Sequence, residues 1–121
     1  GLDVSPSLIC SLVSINPSEI IISLNNDSSK ENNAGLQSSI KNYLKLTSHF
    51  DFDKISICLP NKNDFGDMST EDIEKWIEKK SSVDKEKQRS NILEESVSLM
   101  SKNKLPKSFA SKIKKLESIL L

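Results

Sequence analysis

Residues 19–27 read EIIISLNND. Ile20, Ile21, Ile22 and Leu24 form an apolar run broken only by Ser23. A β-branched run this short is the pattern of a strand buried on both faces, as in a parallel sheet. It stops at Asn25-Asn26-Asp27, three polar side chains at the strand's carboxyl end. Open α/β sheets bind ligands at that end of their strands. The reading of this stretch therefore sets both the expected fold and the expected functional edge.

Working outward, Ser5-Pro6 is a helix start, because Ser caps free amides and Pro is at ease in the first turn. Leu8, Ile9, Leu12 and Val13 follow at helical spacing, and Asn16-Pro17 ends the segment. After the strand, residues 26–33 (NDSSKENN) form a polar loop. A helix begins at Ala34, with Leu36, Ile40, Tyr43 and Leu44 as its apolar stripe. Phe50-Asp51-Phe52-Asp53 connects it to a second strand over residues 54–59, KISICL, with at least one ring tucked under the sheet edge. Pro60 stops that strand and a second polar turn, NKNDFGDM, begins at Asn61.

Strand, helix, strand in this order is a βαβ unit, expected with a right-handed crossover. Parallel strands bring both polar loops to one edge. Asn25, Asp27, Asp64 and Asp67 are then neighbours in space, although the two loops lie about forty residues apart. Carboxylates and amides gathered there suit a hard cation such as Mg²⁺, which takes oxygen ligands. Asp and Asn are equally the usual turn formers, so strand termination and helix capping account for the same residues.

Further on, Ser69 caps a helix, with Asp72 completing a capping box and Ile73, Trp76 and Ile77 as its apolar face. Another helix spans residues 84–101, with Ile92, Leu93, Val97 and Met100 as its stripe. After Pro106, a last helix carries Phe109, Ile113, Leu116 and Leu120. The expected fold class is thus α/β: a small, mostly parallel sheet flanked by helices over residues 1–80, with a helical C-terminal extension over residues 81–121.

The 121 residues support one modest core. Seventeen basic residues balance seventeen acids, so no global charge draws the chain to nucleic acid or membrane. The balance is uneven: residues 81–121 hold nine basic residues against five acids. Lys102, Lys104, Lys107, Lys112, Lys114 and Lys115 follow one another without an intervening acid. Such a stretch is either a solvated helix face or a contact to phosphate backbone. Cys10 and Cys58 lie in apolar stretches without metal or disulfide spacing, and both are expected as buried free thiols in a reducing compartment. No apolar run approaches the roughly 18 residues of a membrane span. His49 is the single histidine and sits near a helix end, where a surface role is commoner than catalysis. The chain opens at Gly1 without Met, which fits a piece of something longer whose first strand lies upstream.

Three segments together resemble the Toprim domain of primases and topoisomerases, most closely that of bacteriophage DNA primases and primase-helicases. They are IIISLNND, AGLQSSIKNYLKL and ISICLPNKNDFGDM, and the resemblance covers roughly residues 1–75. In that family a hydrophobic strand ends in Asp-x-Asp, a Gly precedes the next helix, and the following strand ends in Leu-Pro and a Lys-Asp turn. Here Asn25-Asn26-Asp27, Ala34-Gly35 and Leu59-Pro60-Asn61-Lys62-Asn63-Asp64 stand at those places.

The resemblance implies a Rossmann-like topology and a nucleotidyltransferase that makes RNA primers on single-stranded DNA. Asp27 and Asp64 would be catalytic and would hold Mg²⁺ or Mn²⁺, with Asp67 and Asn25 beside them. Lys62 would contact phosphate. Outside the resemblance, the basic stretch itself offers Lys104, Lys107, Lys112, Lys114 and Lys115 as contacts to nucleic acid. Nucleotides, a helicase or another replication protein are the implied partners, with no membrane, in the cytoplasm (the host's, for a phage protein). The chain departs from the family in three ways. Asn25 replaces the first Asp, the loop before Gly35 is longer, and the Glu that should end an earlier strand is absent from Gly1-Leu2-Asp3. A catalytically inactive relative that binds DNA or a replication partner is the alternative.

Overall fold

The computed structural model describes residues 4–24, 34–62 and 64–120. Within these, five α-helices surround a two-stranded parallel sheet. Helix α1 (Pro6–Ile15) begins where Ser5 Oγ accepts the Leu8 amide at 3.1 Å. It ends at Asn16, which takes a left-handed conformation (φ 51°), an arrangement that Asn tolerates better than most residues.

Strands β1 (Ile20–Ile22) and β2 (Ile55–Ile57) pair in parallel, with Ile20 opposite Ile55 and Ile22 opposite Ile57. Helix α2 (Ala34–Leu46) is the crossover between them. The expected βαβ unit is therefore present, on strands of three residues rather than five or six. Their ends explain the difference. Lys54 belongs to a 3-10 turn, Phe52–Lys54. Beyond β2, the Cys58 carbonyl accepts side-chain donors, the Ser23 hydroxyl at 2.6 Å and the Trp76 indole at 2.9 Å.

Ile40, Tyr43 and Leu44 of α2 are fully buried, and the Tyr43 and Phe52 rings lie 6.1 Å apart. The stripe expected on α2 is the one the core uses. Helix α3 (Thr70–Ser81) carries the full capping box: the Ser69 side chain accepts the Asp72 amide and the Asp72 carboxylate accepts the Ser69 amide. That amide, donating to the carboxylate, is the main reason the Asp72 pKa is lowered.

Helices α4 (Lys85–Ser101) and α5 (Ala110–Leu120) pack against each other and against the βαβ unit. Ile92, Leu99, Leu105, Phe109, Ile113 and Leu116 share one core with Ile22, Leu44 and Ile55. The helical extension thus completes the hydrophobic interior of the sheet region.

Three expectations are corrected. Helix α4 buries Ile92, Ser96 and Leu99, while Val97 is exposed and Leu93 and Met100 are only half-buried. Ser96 can take a core position because its hydroxyl donates to the Ile92 carbonyl at 2.6 Å. Cys10 is exposed, and only Cys58 is buried, which pushes its thiol pKa up. On α3, Ile73 and Ile77 are exposed, and Trp76 alone turns inward to reach the Cys58 carbonyl.

Candidate functional site

Because β1 and β2 are parallel, residues 23–24 and 58–60 leave the sheet at the same edge. The turn after Pro60 is built by its own side chains. Asn61 donates to the Asp72 carbonyl at 2.9 Å, tying the turn to the start of α3. Asp64 Oδ1 accepts the Asp67 amide at 3.2 Å and so caps the 3-10 turn Phe65–Asp67. A Cβ on Gly66 would come within 3.0 Å of that oxygen, so the glycine lets the carboxylate fold back onto the turn. Phe65, partly exposed, stands edge-on to Trp76 with ring centroids 5.0 Å apart.

Asp64 is half-buried, and Asp67 and Lys62 are exposed. Lys62 lies near enough to Asp72 to help hold that carboxyl below its usual range, secondary to the Ser69 hydrogen bonds. Asp64 and Asp67 thus share one turn beyond the carboxyl end of β2. Asn25 and Asp27, the other half of the expected set, lie outside the described residues, as does Asn63. Among the described residues, no group of three or more His, Cys, Asp or Glu side chains converges to hold a metal ion. Two carboxylates, one of them bonded to its own turn, do not by themselves form such a centre.

The lysines of the extension divide into two sets. Lys115 donates to the Thr47 carbonyl at 3.0 Å, just past the end of α2, and its ammonium lies 5.7 Å from the Phe52 ring centroid. A cation there complements the negative end of the α2 dipole. Lys112 lies 5.8 Å from the Phe109 ring centroid. Lys104, Lys107 and Lys114 are exposed, and none of them forms an ion pair with a described carboxylate.

Lys115 also lines a polar cleft of about 340 Å³ with Asn16, His49, Asp51 and Lys54. This cleft lies at the amino ends of the strands, since Lys54 immediately precedes β2. It is the edge opposite Asp64. The ends of α1 and α2 both reach it, and Lys54 and Lys115 donate to oxygens there.

Sequence reasoning missed the polar face of α4. The Gln88 side-chain amide pairs with both peptide groups of Ile57: Nε2 donates to the carbonyl at 2.7 Å, and Oε1 accepts the amide at 2.8 Å. Arg89 forms an ion pair with Asp53, and Lys85 donates to the Asp53 carbonyl at 2.5 Å. Burial pushes the Tyr43 pKa up to about 12, although the nearby Arg89 guanidinium pulls it the other way. One signal was available: residues 85, 88, 92, 96 and 99 share one helical face, so the polar head continues the buried stripe.

No protein family, curated protein or solved structure compared with the chain matches it. No helix among the described residues is long and apolar enough to cross a membrane.

Proposed function

We propose that the chain is a Toprim-like α/β module of a replication protein, acting as a nucleic-acid-binding element rather than a complete catalyst. The observation that carries this reading is the set of exposed lysines, Lys104, Lys107 and Lys114, with no ion pair to a described carboxylate. Unpaired ammonium groups on one helical hairpin suit phosphate contacts that are insensitive to sequence and weaken with salt. Fluorescence anisotropy with a single-stranded DNA oligonucleotide tests it. The double variant Lys104→Ala/Lys107→Ala should bind about tenfold more weakly and lower the salt slope by roughly 1.4, two contacts' worth on a single strand. Binding that is absent at low salt, or unchanged in the variant, refutes the reading.

The parallel pairing of β1 and β2 favours a second, catalytic reading. Here Asp27 and Asp64, with Asp67 and Asn25 nearby, would hold Mg²⁺ or Mn²⁺, and Lys62 would contact the nucleotide's phosphates. The metal would supply charge neutralisation at a triphosphate during primer synthesis. Calorimetric titration of Mg²⁺ into the wild type and Asp64→Ala, beside a primer-synthesis assay, separates the two readings. Metal binding and primers that both vanish in Asp64→Ala support the catalyst.

A further inference from the structure

Helix α4 carries more apolar surface than the core takes up. Ile92, Ser96 and Leu99 face inward. A second stripe runs beside it: Leu93 and Met100 are half-buried against the edge of the core and keep part of their surface outside, and Val97 between them is 53% exposed. The two helices are antiparallel here: Met100 and Ser101 lie beside Ala110 and Ile113, and Leu93 and Glu94 lie beside Glu117. Between them runs a shallow apolar groove with Val97 at its middle, shared by both halves.

The two ends of the groove carry opposite charges. Lys114 stands at the end near the α4–α5 connection, and Glu94 and Glu117 stand at the other. From Glu94 to Ser101 the helix rises about 10 Å, at roughly 1.5 Å per residue. A two-fold axis through Val97 therefore lays the Lys114 end of one copy on the Glu94 and Glu117 end of the next. An isologous contact needs this self-complementarity. Apolar stripe meets apolar stripe, and each acidic end meets a basic one.

The geometry points to a second copy of this chain as the occupant of the α4–α5 groove. Two hairpins joined this way make an antiparallel four-helix arrangement, a common way for such hairpins to bury their outer stripes. Few apolar side chains are available on each side, so the contact belongs to the small, transient class, with a Kd of roughly 10–100 μM. Self-association of this kind needs no nucleic acid, and its failure leaves the DNA-binding reading untouched.

Sedimentation velocity on the full chain, in nucleic-acid-free buffer from about 1 μM to about 1 mM, reads the result. The expected outcome is a reversible shift from one chain to two. Val97→Asp should hold the chain at one copy throughout, with an unchanged thermal melt because the side chain is already exposed. Lys114→Glu should weaken association about tenfold, and adding Glu94→Lys and Glu117→Lys should bring it back to within a few-fold of wild type. A chain that stays single at the highest concentration overturns the proposal. So does association indifferent to Val97→Asp, or a charge-reversed triple variant that fails to recover.

Discussion

The two strands pair with each other, but their outer edges are finished in opposite ways. Beside β2, polar and charged side chains complete the sheet: Gln88 takes both peptide groups of Ile57, and Arg89 and Lys85 hold Asp53. Beside β1 stands helix α1, apolar in sequence yet burying none of its own residues. Ile9 and Leu12 pack against the core, while Ile15 is 72% exposed. An apolar groove of about 310 Å³, lined in part by Leu8, Leu12 and Ile21, separates α1 from β1. Hydrophobic composition did not secure burial on one side, and hydrogen-bonding geometry did secure closure on the other. Buried peptide groups demand partners, whereas a scattered exposed leucine demands nothing.

That contrast can be broken at graded points. The largest effect is expected at Gln88→Ala, which leaves the Ile57 amide and carbonyl without their side-chain partner. A loss of about 2–3 kcal/mol in urea unfolding is expected, and a loss under half that size would mean that the β2 edge does not depend on its amide clamp. Next comes pH. The Tyr43 phenol titrates near 10 in the unfolded chain and at about 12 in the fold, so the folded state keeps a proton that the unfolded state releases. Stability is therefore fully present below pH 10 and falls between pH 10 and 12, by roughly 1–2 kcal/mol. Tyr43→Phe should lack that part of the alkaline loss, and matching alkaline profiles for the two proteins would count against the buried, un-ionised phenol.

On the β1 side the effects should be smaller. Ser5→Ala removes the cap that accepts the Leu8 amide. It should cost about 0.5–1 kcal/mol, seen as fraying of α1 by hydrogen exchange. The smallest effect belongs to Leu8→Ala. Leu8 is about half exposed, and its truncation should move the unfolding midpoint by less than about 0.5 kcal/mol equivalent. A larger loss would show that α1 is held more tightly than its exposure implies, and would erase the contrast.

Punctuation was the most legible part of the sequence. Ser5-Pro6 and Asn16-Pro17 bound α1, Ser69 and Asp72 form the capping box, and Ala34 opens α2, as expected. These signals are local, and a local backbone demand decides them. The parallel pairing was legible too, from two short apolar runs either side of a helix. Burial on both faces was not borne out, since of the three isoleucines in β1 only Ile22 is buried and Ile20 and Ile21 are half-buried. Helix α4 was less legible, since two apolar stripes compete on it and the core takes the one containing Ser96. Its hydroxyl is satisfied by its own helix, which hydropathy does not register. Gln88, Arg89 and Lys115 look like solvated surface in sequence and become structural only through partners 31, 36 and 68 residues away. At the candidate edge, Asp64 and Asp67 share one turn simply by being three residues apart, while the expected meeting with Asn25 and Asp27 lies outside the described residues. That Asp64 caps its own turn was visible only as the bland alternative.

The Gln88 clamp also makes the Ile57 peptide a gauge of assembly order. Its amide proton is protected only while α4, which lies beyond residue 84, is docked. Deuterium uptake at Ile57 should therefore follow the undocking of α4 rather than the separation of the two strands. A nascent chain that has emerged only as far as residue 80 holds β1 and β2 but not their closure. The bare side of β2 is then a template for a stray strand from another chain. Translation past α4 removes that hazard with one side-chain amide in place of a third strand.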